Sequence, residues 1–129
     1  MSPHLKTWRE AVKQSAIDAC RSAGHVEPFQ GPVVVEVTFT IARPGAHFGT
    51  GRNAMTLKPS APGWPSKTPD LDKLIRSTLD ALTASGVVYR DDAQVVELTG
   101  RKVYPGGLDS VEGSGAVVRV QAVSDPTQD

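Results

Sequence analysis

The chain has only one cysteine, no net charge and no long apolar run. A single cysteine, Cys20, excludes an intrachain disulfide and favours a reducing compartment. Cys20 falls on a helical pattern among alanines, which favours a small core residue over a nucleophile. No apolar run approaches the ~20 residues that a membrane span needs, and no basic-then-apolar signal segment opens the chain. We therefore expect a soluble, cytoplasmic protein without membrane contact.

The length of 129 residues favours one domain. A chain of this size buries roughly two-thirds of the surface that it exposes when unfolded, so a hydrophobic core is possible without disulfides. No internal repeat is visible. The sequence therefore predicts a single compact domain over residues 1–129.

The charges cancel, with 14 basic and 14 acidic residues, and this argues against a nucleic-acid partner, which usually selects a basic surface. The distribution along the chain indicates the opposite. Between Ile41 and Ser77 six basic residues are opposed only by Asp70 and Asp72, a local net charge of +4. The six are Arg43, Arg52, Lys58, Lys67, Lys73 and Arg76. Because the charge is segregated, this segment favours contact with phosphates.

Hydrophobic periodicity predicts two helices and several strands. The predicted elements are a helix from about His4 to Ala23, a strand Val33–Ala42, a helix from about Leu71 to Ala84, a short strand Val87–Arg90, a strand from Gln94 to about Tyr104, and a last strand Ala116–Val123. Ser2-Pro3 and Asp70 are expected to begin the helices, and Gly24 and Gly86 to end them. Asp91-Asp92 is expected to form a turn or bulge, and residues 124–129 a frayed tail.

Three patterns predict which side chains are buried. The first helix has an apolar stripe of Leu5, Trp8, Val12, Ala16 and Ala19. The second helix has a stripe of Leu71, Leu74, Ile75, Thr78, Leu79 and Leu82. In the first strand the buried face is Val33, Val35, Val37, Phe39 and Ile41, and it alternates with Val34, Glu36, Thr38, Thr40 and Ala42.

The segment 43–69, called the basic loop below, has five prolines, four glycines and little periodicity. Besides its basic residues it carries His47, Asn53 and Trp64. A solvated insertion and a substrate-contacting loop are about equally compatible with this composition. Its position immediately before an acidic motif favours the loop that contacts a substrate.

Two acidic pairs, Asp70 with Asp72 and Asp91 with Asp92, lie on either side of the second helix. A helix followed by a tight return can bring such pairs towards each other, and carboxylates brought together repel. A hard divalent cation relieves this repulsion, because it prefers oxygen ligands. Acidic clusters of this kind commonly hold Mg²⁺ for phosphodiester chemistry.

Each acidic residue also has a simpler explanation. Acids near a helix N-terminus interact favourably with the helix dipole, by ~0.3–1 kcal/mol each. Asp72 and Arg76, spaced i,i+4, would form an ordinary helix pair worth ~0.3–0.5 kcal/mol. Asp91-Asp92 would be plain turn residues. Taken together, these explanations account less well for four acids beside a strongly basic loop.

Three stretches carry a resemblance to a known family. They are Pro69-Asp70-Leu71-Asp72-Lys73-Leu74, Leu79-Asp80-Ala81-Leu82 and Asp91-Asp92-Ala93-Gln94-Val95-Val96. In residues and spacing they resemble the Holliday-junction resolvases of the RusA family, over about Pro69 to Lys102. Such a long, gapped acidic signature is more specific than a lone short motif.

The resemblance implies a small α/β (α+β) domain, with two main helices packed against a mixed sheet, that acts as a homodimer. It implies Mg²⁺-dependent endonucleolytic cleavage of four-way DNA junctions, in bacteria or phages. The catalytic aspartates map to Asp70, Asp72 and Asp92, which would hold Mg²⁺ with Asp91 in support. Arg76 and Lys73 would clamp the scissile phosphate. The remaining predicted DNA contacts are Arg43, Arg52, Lys58 and Lys67.

The chain departs from the family pattern in three places. Arg76 stands where the family usually has lysine, and arginine is a poor proton donor because it stays charged at any working pH. Lys73 replaces a common asparagine. Family members also begin with a strand that this chain lacks before its first helix, so a truncated start is expected.

Two rival functions remain open. One is a non-catalytic module that binds branched DNA and derives from such a nuclease. The other is a small structural domain whose acids bind a cation for stability alone. Metal-dependent cleavage of DNA by the purified protein would exclude the first rival. Salt-sensitive DNA binding would exclude the second.

Overall fold

The computed structural model of the chain describes residues 3–124. Helices α1 (Pro3–Ser22) and α2 (Leu71–Ser85) and strands β1 (Val33–Thr40), β2 (Val95–Val103) and β3 (Gly115–Ala122) are joined by loops that contain three short 3₁₀ turns. All five elements begin and end within one or two residues of their predicted bounds. The expected strand Val87–Arg90 is wrong, because this segment forms only a single parallel bridge between Tyr89 and Phe29.

Three predictions extend beyond the described part of the chain. They are Ser2 at the start of the first helix, the buried side chain of Leu5 and the tail after Ser124. No helix within residues 3–124 combines the length and apolarity that crossing a membrane would require.

The sheet has the order β2-β1-β3. Ile41 N–H donates to the carbonyl of Val103 at 2.9 Å, so the C-terminal ends of β1 and β2 are adjacent and these strands run parallel. Val123 N–H donates to the carbonyl of Pro32 at 3.0 Å, which places the end of β3 beside the start of β1. The sheet is therefore mixed, and the predicted α+β class is confirmed.

Strand β1 is buried on more than the predicted face. Val33, Val35, Val37 and Phe39 are buried as expected. Thr38 and Thr40, assigned by alternation to the opposite face, are also only 4% and 1% exposed. The Thr40 hydroxyl accepts a hydrogen bond from Val111 N–H at 3.0 Å, so the segment between β2 and β3 lies against this residue.

The two helices pack against each other, and their contact shifts the buried stripe of α2. The indole N–H of Trp8 donates to the Thr78 hydroxyl at 3.2 Å. Ser77 and Ala81, which the periodicity did not select, are buried, because small side chains allow the close approach of a second helix. Leu71, Ile75 and Leu79 are only half-buried. On α1, Val12 is buried, whereas Ala19 is exposed, contrary to the prediction.

The contacts of the chain form two compact units. The first unit comprises the residues up to Glu36, Pro69–Thr99 and the residues from Arg119 onward. The second unit comprises Val37–Thr68 and Gly100–Val118. Helices α1 and α2 belong to the first unit, and the basic loop, except for Pro69, to the second.

Candidate catalytic and DNA-binding residues

Asp70 and Asp72 lie at the start of α2, as predicted. Asp70 occupies the N-cap position with extended backbone angles (φ −73°, ψ 133°), yet its carboxylate accepts no capping hydrogen bond. Its Oδ2 atom instead lies 3.5 Å from Nζ of Lys73, and the Asp70 side chain remains 50% exposed. Asp72 lies in the first turn and is exposed. The start of α2 therefore presents two accessible carboxylates, one of which has a cationic neighbour.

The Asp72–Arg76 pair that the simpler explanation requires does not form. Within residues 3–124 no ion pair or hydrogen bond occupies either side chain, and both are exposed. The ordinary explanation of these residues as a stabilising helix pair therefore loses its main support. The second ion pair of α2 joins Asp80 to Arg9 of α1 at 3.1 Å, so Asp80 holds the helices together.

Asp91 and Asp92 begin a 3₁₀ turn, which we call the acidic turn (Asp91–Gln94). Asp91 is its N-cap, and Oδ1 of Asp91 accepts a hydrogen bond from Ala93 N–H at 2.9 Å. The Asp92 side chain is exposed and makes no hydrogen bond or ion pair within the described residues. The acidic turn contacts α2. Asp91 thus shapes the turn, while Asp92 is available to a ligand.

Gln94 anchors the acidic turn. Its Oε1 atom accepts hydrogen bonds from the backbone N–H groups of Arg90 (2.8 Å) and Asp91 (3.0 Å). Its Nε2 atom donates to the carbonyls of Phe29 (2.8 Å) and Gly31 (2.9 Å). The sequence reasoning missed this residue, although an acid followed three residues later by Gln is the signal of a capping box.

Tyr89 fixes the segment that leads into the acidic turn, and the sequence reasoning missed it too. Its side chain is completely buried. The phenol donates to the carbonyl of Leu79 at 3.2 Å and accepts from the Thr83 hydroxyl at 3.4 Å, both on α2. Burial raises the pKa of Tyr89, while the hydrogen bond from Thr83 lowers it. The charges that raise this pKa further are those of Asp92, Asp80 and Asp91.

The donor chemistry of this region fits a hard divalent cation, because Asp70, Asp72 and Asp92 offer exposed carboxylate oxygens. In the described part of the chain, no three His, Cys, Asp or Glu side chains stand close enough together to hold an ion. Mg²⁺ is commonly bound through one or two carboxylates together with substrate phosphates and water. The predicted ligand set therefore stays a prediction that the donor types support.

Arg43 organises the basic loop within the second unit. Its guanidinium carbon lies 4.0 Å from the centroid of the Tyr104 ring. The same group donates to the Pro62 carbonyl at 2.8 Å and lies 3.1 Å from Nδ1 of His47. The imidazole of His47 meets the Tyr104 ring edge-on at 5.4 Å. The observed contacts of Arg43 thus hold the loop, and its predicted phosphate contact stays a prediction.

The basic loop has local structure of its own. It contains the 3₁₀ turns Gly45–His47 and Gly51–Asn53 and an antiparallel bridge between Phe48 and Leu57. The predicted phosphate contacts Arg52, Lys58 and Lys67 are all exposed.

The charge separation seen in the sequence persists in the fold. The second unit carries six basic and two acidic residues, whereas the first carries eight basic and twelve acidic. The second unit is therefore cationic, and the unit with the predicted catalytic aspartates is anionic. These signs match a phosphate partner for the one and a metal cation for the other.

Comparison with known proteins agrees with this chemistry. Residues 1–112 match the family described as Endodeoxyribonuclease RusA. No curated protein matches the chain significantly. The match covers both helices, strands β1 and β2 and every residue of the candidate site. Nucleases of this family are generally dependent on a divalent metal. The chain belongs to the RusA family of endodeoxyribonucleases, which are Holliday-junction resolvases.

Proposed function

We propose that this protein is a Mg²⁺-dependent endonuclease that resolves four-way DNA junctions during recombination and repair. The observation that carries the proposal is that two of the aspartates matched to the family signature are exposed and, in the described chain, unpaired. Asp72 and Asp92 are exposed and have no partner within residues 3–124, although both lie beside structured elements. Asp80 and Asp91, by contrast, have structural roles, since Asp80 is paired with Arg9 and Asp91 caps the acidic turn.

The ligand set is Asp70, Asp72 and Asp92, with Asp91 in support through its second oxygen. A bound Mg²⁺ would stabilise charge on the phosphate and lower the pKa of water. Asp70 and Asp72 present their oxygens from the rigid first turn of α2. The acidic turn presents those of Asp92, and the hydrogen bonds of Gln94 fix its backbone. Rigid support of this kind keeps ligands near their productive geometry.

Arg76 and Lys73 serve as phosphate clamps. Both are exposed on the first two turns of α2, and Arg76 has no acidic partner in the described chain. Arginine binds a phosphate through two parallel hydrogen bonds and keeps its charge, so it stabilises the negative transition state without donating a proton. We therefore assign Arg76 an electrostatic role and assign no proton transfer to it.

The second unit supplies the sequence-independent DNA contacts. Arg52, Lys58 and Lys67 are exposed side chains on a loop without a single carboxylate between residues 43 and 69. Such contacts position a nucleic acid without reading its bases. Arg43 supports these residues by holding the loop.

A homodimer completes the proposal. Symmetric incision of a four-way junction needs two equivalent sites, and a two-fold dimer supplies them. The junctions would be those of bacterial or phage DNA, so the enzyme would act in the cytoplasm of a bacterial cell.

The test is cleavage of a synthetic four-way junction labelled on one strand, with and without Mg²⁺. The matched controls are linear duplexes with the same arm sequences and the Asp92→Asn variant. We expect paired incisions that require both the metal and Asp92. Junction binding without cleavage at any Mg²⁺ concentration would instead identify a non-catalytic binding module. The observation that favours this alternative is Arg76, an arginine where the family usually has lysine.

A further inference from the structure

Trp64 is exposed at a place where the chain around it is fixed. Its side chain is 68% exposed, whereas indoles are usually largely buried in folded proteins. The other tryptophan, Trp8, follows that rule and donates its N–H to Thr78 at 3.2 Å. Pro65, directly after Trp64, is buried. The indole therefore projects from an anchored backbone.

Two side chains of the second unit hold the backbone on either side of Trp64. Arg43 donates to the Pro62 carbonyl at 2.8 Å, while its guanidinium is stacked on an aromatic ring. Lys102 donates from Nζ to the Lys67 carbonyl at 2.8 Å. A ligand that meets Trp64 therefore finds its backbone already positioned, so binding costs less loop entropy.

The charge of the surroundings indicates the chemistry of the partner. The basic loop carries four basic residues and no carboxylate. An apolar protein surface would suit the indole but would leave the positive charge without a counterpart. A continuous duplex would suit the charge, but its base faces are covered by stacking. Nucleic acid with an exposed base face matches both features, because aromatic side chains in cationic grooves stack on bases.

A four-way junction offers such faces where the stacks of its arms are interrupted. We propose that Trp64 stacks on a base exposed at the branch point and thereby favours the junction over duplex DNA. This inference rests on the proposed function and adds to it a residue that distinguishes the branched substrate. It does not require Trp64 to contact the metal ligands.

Trp64 can be observed directly by its fluorescence. In the Trp8→Phe variant Trp64 is the single tryptophan. We expect addition of a four-way junction, in EDTA to prevent cleavage, to quench and shift its emission. Linear duplexes that carry the same arm ends should change it much less. If Trp8→Phe folds poorly, the difference between the spectra of the wild-type protein and Trp64→Phe isolates the same signal.

Binding measurements test the energetic part. Replacing Trp64 by Leu keeps an apolar side chain but removes the aromatic face, and should weaken junction binding roughly 5- to 150-fold, the range for loss of one stacked base. Duplex affinity and the salt slope should stay unchanged, because no phosphate contact is lost. Trp64→Phe should retain part of the junction affinity. Met55→Ala is the matched control, since Met55 is on the same loop and is 90% exposed.

The outcomes separate this inference from the proposed function. If the wild-type protein binds and cleaves junctions while Trp64 emission stays constant, the inference is overturned and the function stands. Equal loss of junction and duplex binding in Trp64→Leu would overturn it as well. If the wild-type protein binds no junction, the proposed function fails and the inference fails with it.

Discussion

The carboxylate of Asp70 lies 3.5 Å from the ammonium of Lys73, across the first turn of α2. This contact places a positive charge beside a predicted Mg²⁺ ligand. Both side chains are at least half exposed, so the pair contributes at most about 1 kcal/mol to stability. Its main consequence is competition with a cation for the same oxygen.

Lys73→Asn should therefore strengthen Mg²⁺ binding. A ligand that binds only the folded state stabilises it by RT ln(1 + [L]/Kd), so millimolar Mg²⁺ should raise the melting temperature more for Lys73→Asn than for the wild-type protein. The rise should be smallest for the double variant Asp70→Asn/Asp72→Asn. Thermal unfolding of the three proteins with and without Mg²⁺ measures this order. Equal shifts in all three would mean that the cation binds elsewhere.

Substitution by Asn should lower the cleavage rate less at Asp91 than at Asp92. Asp91→Asn keeps an oxygen that accepts from Ala93 N–H, and Asn is as good an N-cap as Asp. Asp92→Asn removes a free carboxylate and should lower the cleavage rate about 10²- to 10³-fold, with junction binding preserved. Cleavage rates and gel shifts of both variants test this contrast. Full activity in Asp92→Asn would remove Asp92 from the catalytic set.

Gln94 should control activity through the position of the acidic turn. Gln94→Glu keeps an acceptor for Asp91 N–H but loses the donors to Phe29 and Gly31. Gln94→Ala loses all four hydrogen bonds and should lower the free energy of unfolding by about 1–3 kcal/mol. We expect kcat to fall in both variants, and KM for the junction to change little. A proportional change in KM instead would assign Gln94 to DNA binding.

The salt dependence of junction binding should separate loop contacts from loop supports. Each phosphate contact contributes about −0.9 to the slope of log affinity against log salt. Arg52→Ala/Lys58→Ala should therefore flatten the slope by up to ~1.8. Arg43→Gln should loosen the loop and lower affinity without a matching change in slope, because the observed partners of Arg43 are Pro62 and Tyr104. Coincident lines for the double variant and the wild-type protein would exclude Arg52 and Lys58 from the DNA contacts.

The buried phenol of Tyr89 should make the fold sensitive to alkaline pH. Its pKa is raised in the folded state, chiefly by burial, so folding favours the protonated form. Stability is thus unaffected below about pH 10 and falls as the pH rises through and above this value. Tyr89→Phe should cost about 1 kcal/mol at neutral pH through loss of the bond to Leu79, and should flatten the alkaline decline. Urea unfolding between pH 8 and 11 measures both effects.

The sequence determined the local features of this protein. The three- and four-residue spacing of apolar side chains set α2, and Gly86 ends it with a left-handed conformation (φ 69°) that glycine adopts without strain. The positions of Asp70 and Asp72 at the start of α2, and the turn at Asp91-Asp92, follow from the same local rules. The family signature also depends on spacing along the chain, and for that reason it was visible without a structure.

Only the tertiary structure decided which side chains have partners. Thr40 is buried and its hydroxyl accepts a hydrogen bond from Val111 N–H, 71 residues away in the chain, which an alternating pattern cannot reveal. Gln94 anchors the acidic turn through Phe29 and Gly31, more than sixty residues away in the chain. Arg43 likewise contacts the ring of Tyr104, a residue far away in the chain. Periodicity and capping act over a few residues, whereas burial and hydrogen-bond partners depend on segments that only folding brings together.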